Sequence, residues 1–427
     1  MQHLKKPFNW QGWKKEDLPR LEAHSAAKLN VLRDYVEEYI AILCARSFGV
    51  ERFRLTVVDG FSGGGIYEGN EMGSPLVLIK AVETAEARLN HFGRVKQINV
   101  ECDFHFVDEK KSSVDCLRHQ LETSGYKERM DKSIFLHCGP FDTKYSTIVD
   151  HIKKRHAKGG ARVIFFLDQC GYSQINPKVL NQISQDLGNK VEFIINFAIK
   201  WLEEYIGDNK TFRTVFSKLG LDEIVTADKL IELKNQNRGD WKYFVESQIG
   251  PAYKAASGME FFSPFYIEPA DRHRGYWLLH LAPHERARAA MLDVHWRHAN
   301  SHRHFGNAGL DMLAFKADSN PTGYFDGMSF NDLTRETAKV RLSEDFARAI
   351  RNSHADGISF NELRDTYANR TIANGKLMQE IISDLATQSE VTVSGPKGCP
   401  KRGQKINGGD LIFPCSQLML FSQKIKK

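Results

Sequence analysis

From residue 53 to residue 197 the chain alternates short apolar runs with amphipathic stretches, and this alternation is the tightest constraint on its fold. The runs are 53–59 (FRLTVVD), 98–107 (INVECDFHFV), 134–138 (IFLHC), 162–168 (RVIFFLD) and 191–197 (VEFIINF). They have strand length and are rich in β-branched and aromatic side chains. Helical spacing of apolar residues marks roughly 75–90, 112–123, 142–156 and 177–187 between them. Such alternation makes consecutive strands parallel, with helices over both faces of the sheet. A further helix is expected at 18–43 and a mostly helical insertion at about 202–258. Strands at 261–268 and 276–282 then lie close enough to pair as an antiparallel hairpin. The expectation is a doubly wound, Rossmann-like α/β domain over residues 1–315.

The first strand runs into VVDGFSGGG, Val57 to Gly65. Glycine tolerates positive φ and lets a ligand touch the backbone. A dinucleotide fingerprint requires G-x-G-x-x-G with an acid about 20 residues on. Here Glu68 stands in the third glycine position, and the next strand-terminal acid, Asp108, lies much further along. A phosphate-binding P-loop needs Gly-Lys-Ser/Thr, which Ile66-Tyr67-Glu68 does not offer. What fits is D-x-F-x-G-x-G, with Asp59, Phe61, Gly63 and Gly65. This resembles the first motif of S-adenosylmethionine-dependent methyltransferases, above all those acting on nucleic-acid bases. That resemblance also suits five strand–helix units closed by a hairpin. A tight turn without a ligand is the bland alternative.

Two more strand ends favour the cofactor. Asp108-Glu109 close the second strand, where an acid can accept both ribose hydroxyls, and Phe141-Asp142 follow the third, where such enzymes contact adenine. Each acid alone reads as a helix cap. In order, at successive strand ends, they read as a binding site. The fourth strand ends Asp168-Gln169-Cys170-Gly171-Tyr172. Base-amine methyltransferases carry D/N-P-P-Y/F here, so Asp168 is expected to accept a hydrogen bond from a target amine and Tyr172 to stack on its base. Cys170 is the nucleophile candidate, although a small buried cysteine is the commoner case.

No apolar run approaches the ~20 residues needed to cross a bilayer, and the start MQHLKKPFNW lacks the apolar segment of a signal peptide. Seven scattered cysteines without a Cys-x-x-Cys pair argue against a disulfide framework or structural zinc. A cytoplasmic protein with reduced thiols, and no membrane or metal site, is expected. The stretch HWRHANSHRH (His295, His298, His302, His304) lacks acidic or cysteine companions and reads as a solvated helix end or a polyanion contact.

After a polar stretch at 316–340, taken as a linker, helices are expected at 341–352, 360–368 and 374–387. Two strands around a basic, glycine-rich loop follow, giving a winged helix-turn-helix outline over 341–427. Residues 391–427 hold seven basic residues against Asp410, which equals the whole chain's net charge of +6. A local polyanion contact, DNA or RNA, is the expectation. Its candidates are Lys376, Lys397, Lys401, Arg402 and Lys405. Glu380 and Asp384 on the third helix would repel phosphates, so the loop is expected to carry the contact.

Taken together, the chain resembles the three-Cys-motif partner protein (TcmP) family over about residues 20–300. His24-Ser25-Ala26-Ala27-Lys28-Leu29 matches its His-Ser/Thr-x-x-Lys-Leu helix, and Gly73-Ser74-Pro75 its Gly-Ser-Pro. Asp168-Gln169-Cys170-Gly171 stands where the family has Asp-Pro-Phe-Gly. The resemblance implies a methyltransferase-like fold, Lys28 beside the cofactor site, a C-terminal winged helix and a partner protein bearing a three-cysteine motif. Two functions stay open: methyl transfer to a nucleic-acid base, or a non-catalytic scaffold for nucleic acid and a partner.

Overall fold

The computed structural model describes residues 10–15, 17–45, 51–91, 97–156, 162–169, 175–188, 190–236, 241–267, 276–298, 303–304, 309–310, 328–329, 332–395, 398, 401 and 405–415. Contacts divide the chain into two units, Met1–Arg303 and His304–Lys427.

In the first unit the alternation becomes β1 (Arg52–Asp59), α2 (Ser74–His91), β2 (Asn99–Asp108), α3 (Lys111–Leu121), β3 (Ile134–Cys138), α4 (Phe141–Arg155), β4 (Arg162–Leu167), α5 (Pro177–Leu187) and β5 (Val191–Phe197). Helix α1 (Ala23–Ala45) precedes them. The insertion folds as α6 (Ile199–Tyr205), α7 (Lys210–Leu219), α8 (Ala227–Gln236) and α9 (Trp241–Ser257). Strands β6 (Phe261–Ile267) and β7 (Tyr276–Ala282) and helix α10 (Glu285–Arg297) complete the unit. The seven strands lie in the order β3-β2-β1-β4-β5-β7-β6. Strands β1 to β5 pair in parallel, and β7 runs antiparallel to both β5 and β6. This is an α/β fold with a mostly parallel, doubly wound sheet.

The central strands explain themselves. Val163 to Leu167 of β4 and Val191 to Ile195 of β5 are all buried, as a strand covered on both faces requires. Sequence order reverses between β1 and β4, which opens a crevice at the C-terminal strand ends. Local caps agree with the design. Asn176 accepts from the Lys178 N–H at 2.9 Å with Pro177 in the first turn of α5, and Asn209 accepts from the Phe212 N–H at 2.8 Å on α7. Helix α1 is fastened to the sheet by polar groups: the Tyr35 hydroxyl donates to buried Glu192 of β5, and His280 Nε2 of β7 lies 3.2 Å from the same carboxylate.

A second polar layer sits under α4. His105 Nδ1 of β2 and His137 Nε2 of β3 are 2.9 Å apart, and the His151 ring of α4 meets His105 edge-on at 5.0 Å. Arg155 holds Asp103, and His156 Nε2 lies 3.3 Å from Thr56 Oγ1.

The second unit contains α11 (Asp332–Ser353), β8 (Ile358–Ser359), α12 (Phe360–Tyr367), α13 (Gly375–Thr387), β9 (Val391–Ser394) and β10 (Leu411–Pro414). Strands β8, β9 and β10 form an antiparallel sheet in the order β8-β10-β9. Leu342, Phe346, Ile350, Leu363, Ile381, Ile382, Leu385 and Ile412 make its core. Helix α11 takes in part of the stretch read as a linker, and this changes the reading of α13. Arg335 donates to both oxygens of Glu380 at 2.9 and 2.8 Å, and Lys339 pairs with Asp384 at 2.8 Å. Both acids of α13 are therefore paired with cations of α11, while 44% of the Glu380 side chain and 49% of the Asp384 side chain stay exposed.

Candidate functional site

The site begins where β1 stops. Asp59 is fully buried, and its two oxygens are engaged by the chain itself. Oδ1 accepts from the Phe61 N–H at 3.1 Å and Oδ2 from the Ser74 hydroxyl at 2.6 Å. The turn is thereby tied to the first residue of α2. Gly63 and Gly65 adopt φ of +59° and +76°, the left-handed region that glycine enters without strain. Asp108, at the end of β2, accepts from the Gly63 N–H at 3.0 Å and from the Lys110 N–H at 2.8 Å. One carboxylate thus clasps the glycine turn and the start of the next loop.

The glycines also serve the chain's own packing. A Cβ on Gly63 would lie 2.6 Å from the Trp10 ring, and one on Gly65 2.6 Å from Leu117 Cδ1. Trp10 is buried over the turn with Ile66 and Cys116, and its indole N–H donates to the Ile66 carbonyl at 2.9 Å. Trp10 and Ser74 carried no signal of this role, because each acts through a tertiary approach.

Three carboxylates converge on the crevice. Burial pushes the Asp59 carboxyl up to about 7; hydrogen bonds from Ser74 and Phe61 oppose that rise, while the charges of Asp168 and Asp108 add to it. Phe141 is buried, 6.2 Å from the Phe61 ring, and lies against Gly60, where a Cβ would be 3.0 Å from its ring. Glu109 and Asp142 are exposed, Asp142 in the first turn of α4.

Beyond β4, Asp168 is held from two sides. Lys28 of α1 forms an ion pair with Oδ2, and the Asn196 amide of β5 donates to Oδ1 at 2.7 Å. Lys28 Nζ also lies 5.7 Å from the Tyr276 ring centroid, and the Tyr276 hydroxyl donates to the His24 carbonyl at 3.0 Å. Lys28, expected beside the cofactor, therefore meets the fourth-strand acid expected to hold the target amine. Gln169 is buried, and its Oε1 accepts from the Ile175 N–H at 3.1 Å. Cys170 and Tyr172 lie outside the described residues. Asn196 went unnoticed in the sequence, although a lone amide near the end of an apolar strand is a usable signal.

The remaining candidates separate by environment. His295 is fully buried in α10, not part of a solvated end, and His298 Nε2 lies 2.8 Å from Asp34. Among the described residues no cluster of three or more His, Cys, Asp or Glu is arranged to hold a metal ion, and no helix is long and apolar enough to cross a membrane. In the second unit Lys376 and Lys405 are exposed. Lys401 instead donates to fully buried Asp410 at 2.7 Å. Lys397 and Arg402 lie outside the described residues.

No family model matches this chain, and no curated protein matches it in sequence. Among solved structures it is similar to protein LPL1258 from Legionella pneumophila str. Philadelphia 1, with 10% identity and a TM-score of 0.29, over 60% of this chain and 85% of that one. It is similar to the plantazolicin methyltransferase BamL, solved with a triazolic desmethylPZN analog and SAH, with 9% identity and a TM-score of 0.26, over 60% of this chain and 86% of that one. A methyltransferase from Geobacter sulfurreducens matches with 12% identity and a TM-score of 0.25, over 65% of this chain and 98% of that one. Likenesses this distant leave the strand order and the side chains to speak for the fold and the site.

Proposed function

We propose that the first unit binds S-adenosylmethionine and transfers its methyl group to a nucleic-acid base, and that the second is a winged helix delivering that substrate. The observation that carries the reading is the convergence of Asp59, Asp108 and Asp168 at successive strand ends beside the glycine turn. A carboxylate-rich crevice suits a ligand that bears an ammonium, a sulfonium and a ribose diol, so the donor set fits. Asp108 would take the ribose, with Phe141 and Phe61 beside the adenine. Asp59, whose oxygens already bind Phe61 and Ser74, would act by shaping the turn. When bound, the cofactor supplies a methyl group on cationic sulfur; its transfer to an amine nitrogen forms an N–C bond, breaks the S–C bond, leaves the electron pair on sulfur and releases one proton.

The same reading places the chain in the TcmP-like group with a three-cysteine-motif partner. Two residues of its His-Ser-x-x-Lys-Leu helix support this, since Lys28 reaches Asp168 and the His24 ring meets the Tyr276 ring edge-on at 5.9 Å. The order helix, strand, helix, helix, strand, strand of the second unit supports the winged helix. The scaffold alternative draws on the packing of Gly63 and Gly65 against Trp10 and Leu117, which accounts for both glycines without a ligand. Calorimetry decides between them. S-adenosylmethionine should bind the parent protein, and Asp108→Ala should weaken it about ten- to a hundred-fold, as expected for loss of a charged hydrogen-bond acceptor. Absence of binding by the parent leaves the scaffold.

A further inference from the structure

We infer that Asn196 and Lys28 bind the methyl acceptor, and that they select an amino group set beside a ring nitrogen, the edge of adenine or cytosine. This rests on the methyl-transfer reading above.

Four observations lead there. Asp168, the residue at the position that would hold a target amine, has both oxygens engaged, one by Lys28 and one by the Asn196 amide. Its part is to position those two. Asn196 donates one of its two N–H groups to Asp168, and among the described residues its Oδ1 is shielded from solvent and receives no hydrogen bond. A buried amide oxygen is almost always paired, so one without a donor invites a ligand N–H. Lys28 is only 5% exposed, and its ammonium has three donors. Among the described residues Asp168 is the one acceptor it meets, while the Tyr276 ring covers a side. Donor and acceptor are thus fixed at the two ends of one carboxylate. That carboxylate is close enough to Asp59 to raise its pKa, which sets the pair beside the cofactor crevice.

The complement of such a pair is a ligand offering one N–H and one lone pair side by side. An exocyclic amine next to a ring nitrogen does so: the amine donates to Asn196 Oδ1, and the ring nitrogen accepts from Lys28. Uracil and thymine also set a ring N–H beside a lone pair but have no exocyclic amine to take the methyl group, and the guanine amine has an N–H, not a lone pair, on its Watson–Crick side.

The test uses the full chain, labelled S-adenosylmethionine, and single-stranded poly(A), poly(C) and poly(U) as RNA, with the corresponding DNA homopolymers. The parent should label the adenine or cytosine polymers and leave those of uracil and thymine unlabelled. Asn196→Leu, which fits an apolar strand, should lower kcat/KM for the labelled polymer roughly ten- to a hundred-fold, mostly through KM. Calorimetric affinity for S-adenosylmethionine should stay within a few-fold. Equal labelling of poly(U), labelling of none of the polymers by a cofactor-binding parent, or an Asn196→Leu variant as active as the parent overturns the inference. The parent's preference among polymers decides the matter even where the variant folds poorly. A parent that does not bind S-adenosylmethionine overturns the methyltransferase reading itself, and calorimetry registers that separately.

Discussion

Two polar clusters share one sheet, and burial drives both toward neutrality from opposite sides. At the strand ends it raises the Asp59 carboxyl to about 7. Under α4 it lowers His105 to about 2 and His137 to about 4; neighbouring histidines add to the fall at His105, and the Lys144 charge leads the further fall at His137. The difference lies in what the polar groups are joined to. His105, His137 and His151 of β2, β3 and α4 face one another, beside the Arg155–Asp103 pair and the His156–Thr56 contact. The carboxylates stand at the crevice, and the Asp168 side chain keeps 27% of its surface exposed. Partners and exposure, not position along the strand, separate the two kinds of group, since His105 pairs in register with Val58 and His137 with Val107, each one residue before a strand-end acid.

The largest expected effect breaks the strand-end cluster. The Asp59 carboxyl titrates near 7 in the fold and near 3.8 when unexposed to it. Between those values the folded state holds the proton more tightly, so stability falls as pH rises through the window. At 1.36 kcal/mol per unit the loss approaches about 4 kcal/mol by pH 8. Asp59→Asn preserves an acceptor for the Phe61 N–H and offers Ser74 a donor. It should therefore unfold at higher urea than the parent at pH 8, with the difference shrinking toward pH 4. A constant difference across that range would remove the buried charge from the account.

The histidine cluster should slope the other way. Unfolded histidine takes up a proton near 6.5, whereas His105 stays neutral in the fold down to about 2. Stability is whole above 6.5 and declines as pH falls, by about 3 kcal/mol at pH 4.5 for this one ring. His105→Phe, beside Phe135, should flatten urea midpoints between pH 7 and 4.5. A parent-like acid decline in that variant would assign the sensitivity elsewhere. Asp108→Ala sharpens the contrast with a smaller effect, since its ten- to hundred-fold loss of cofactor affinity should leave the acid decline as it is.

The sheet was legible because parallel strands buried on both faces are dominated by apolar residues, as VIFFL in β4 and FII in β5 show. The carboxylates were legible because strand ends are where a doubly wound sheet gathers its ligands. Pairing was not. Lys28 and Asp168 are 140 residues apart, and nothing in either local pattern says that they meet. Trp10 over the glycine turn and Asn196 beside Asp168 were hidden for the same reason. The pairing of Glu380 and Asp384 with Arg335 and Lys339 was hidden because α11 lay partly in a stretch too polar to read as helix. His295 looked solvated among charged neighbours, yet its position in α10 faces the core.

The second unit poses the same distinction between committed and available charge, with the smallest expected effect. Lys401 belongs with the committed groups: its ammonium donates to fully buried Asp410, which also accepts from the Asn407 N–H at 2.6 Å. Lys376 and Lys405 are exposed and belong with the available ones. A phosphate contact releases counterions, and each contributes roughly −0.9 to the slope of log K against log salt on duplex DNA. Replacing Lys376 and Lys405 by alanine should flatten that slope by up to about 1.8, evenly across sequences, with the melting temperature unchanged. Lys401→Met should do the reverse, leaving the slope nearly intact and lowering the melting temperature, because Asp410 would remain buried without its cation. Isotherms at several salt concentrations, with melting curves on the same samples, separate the two. If Lys401→Met flattens the slope as much as the double variant, its ammonium leaves Asp410 for phosphate, and the division between the two kinds of charge fails in this unit.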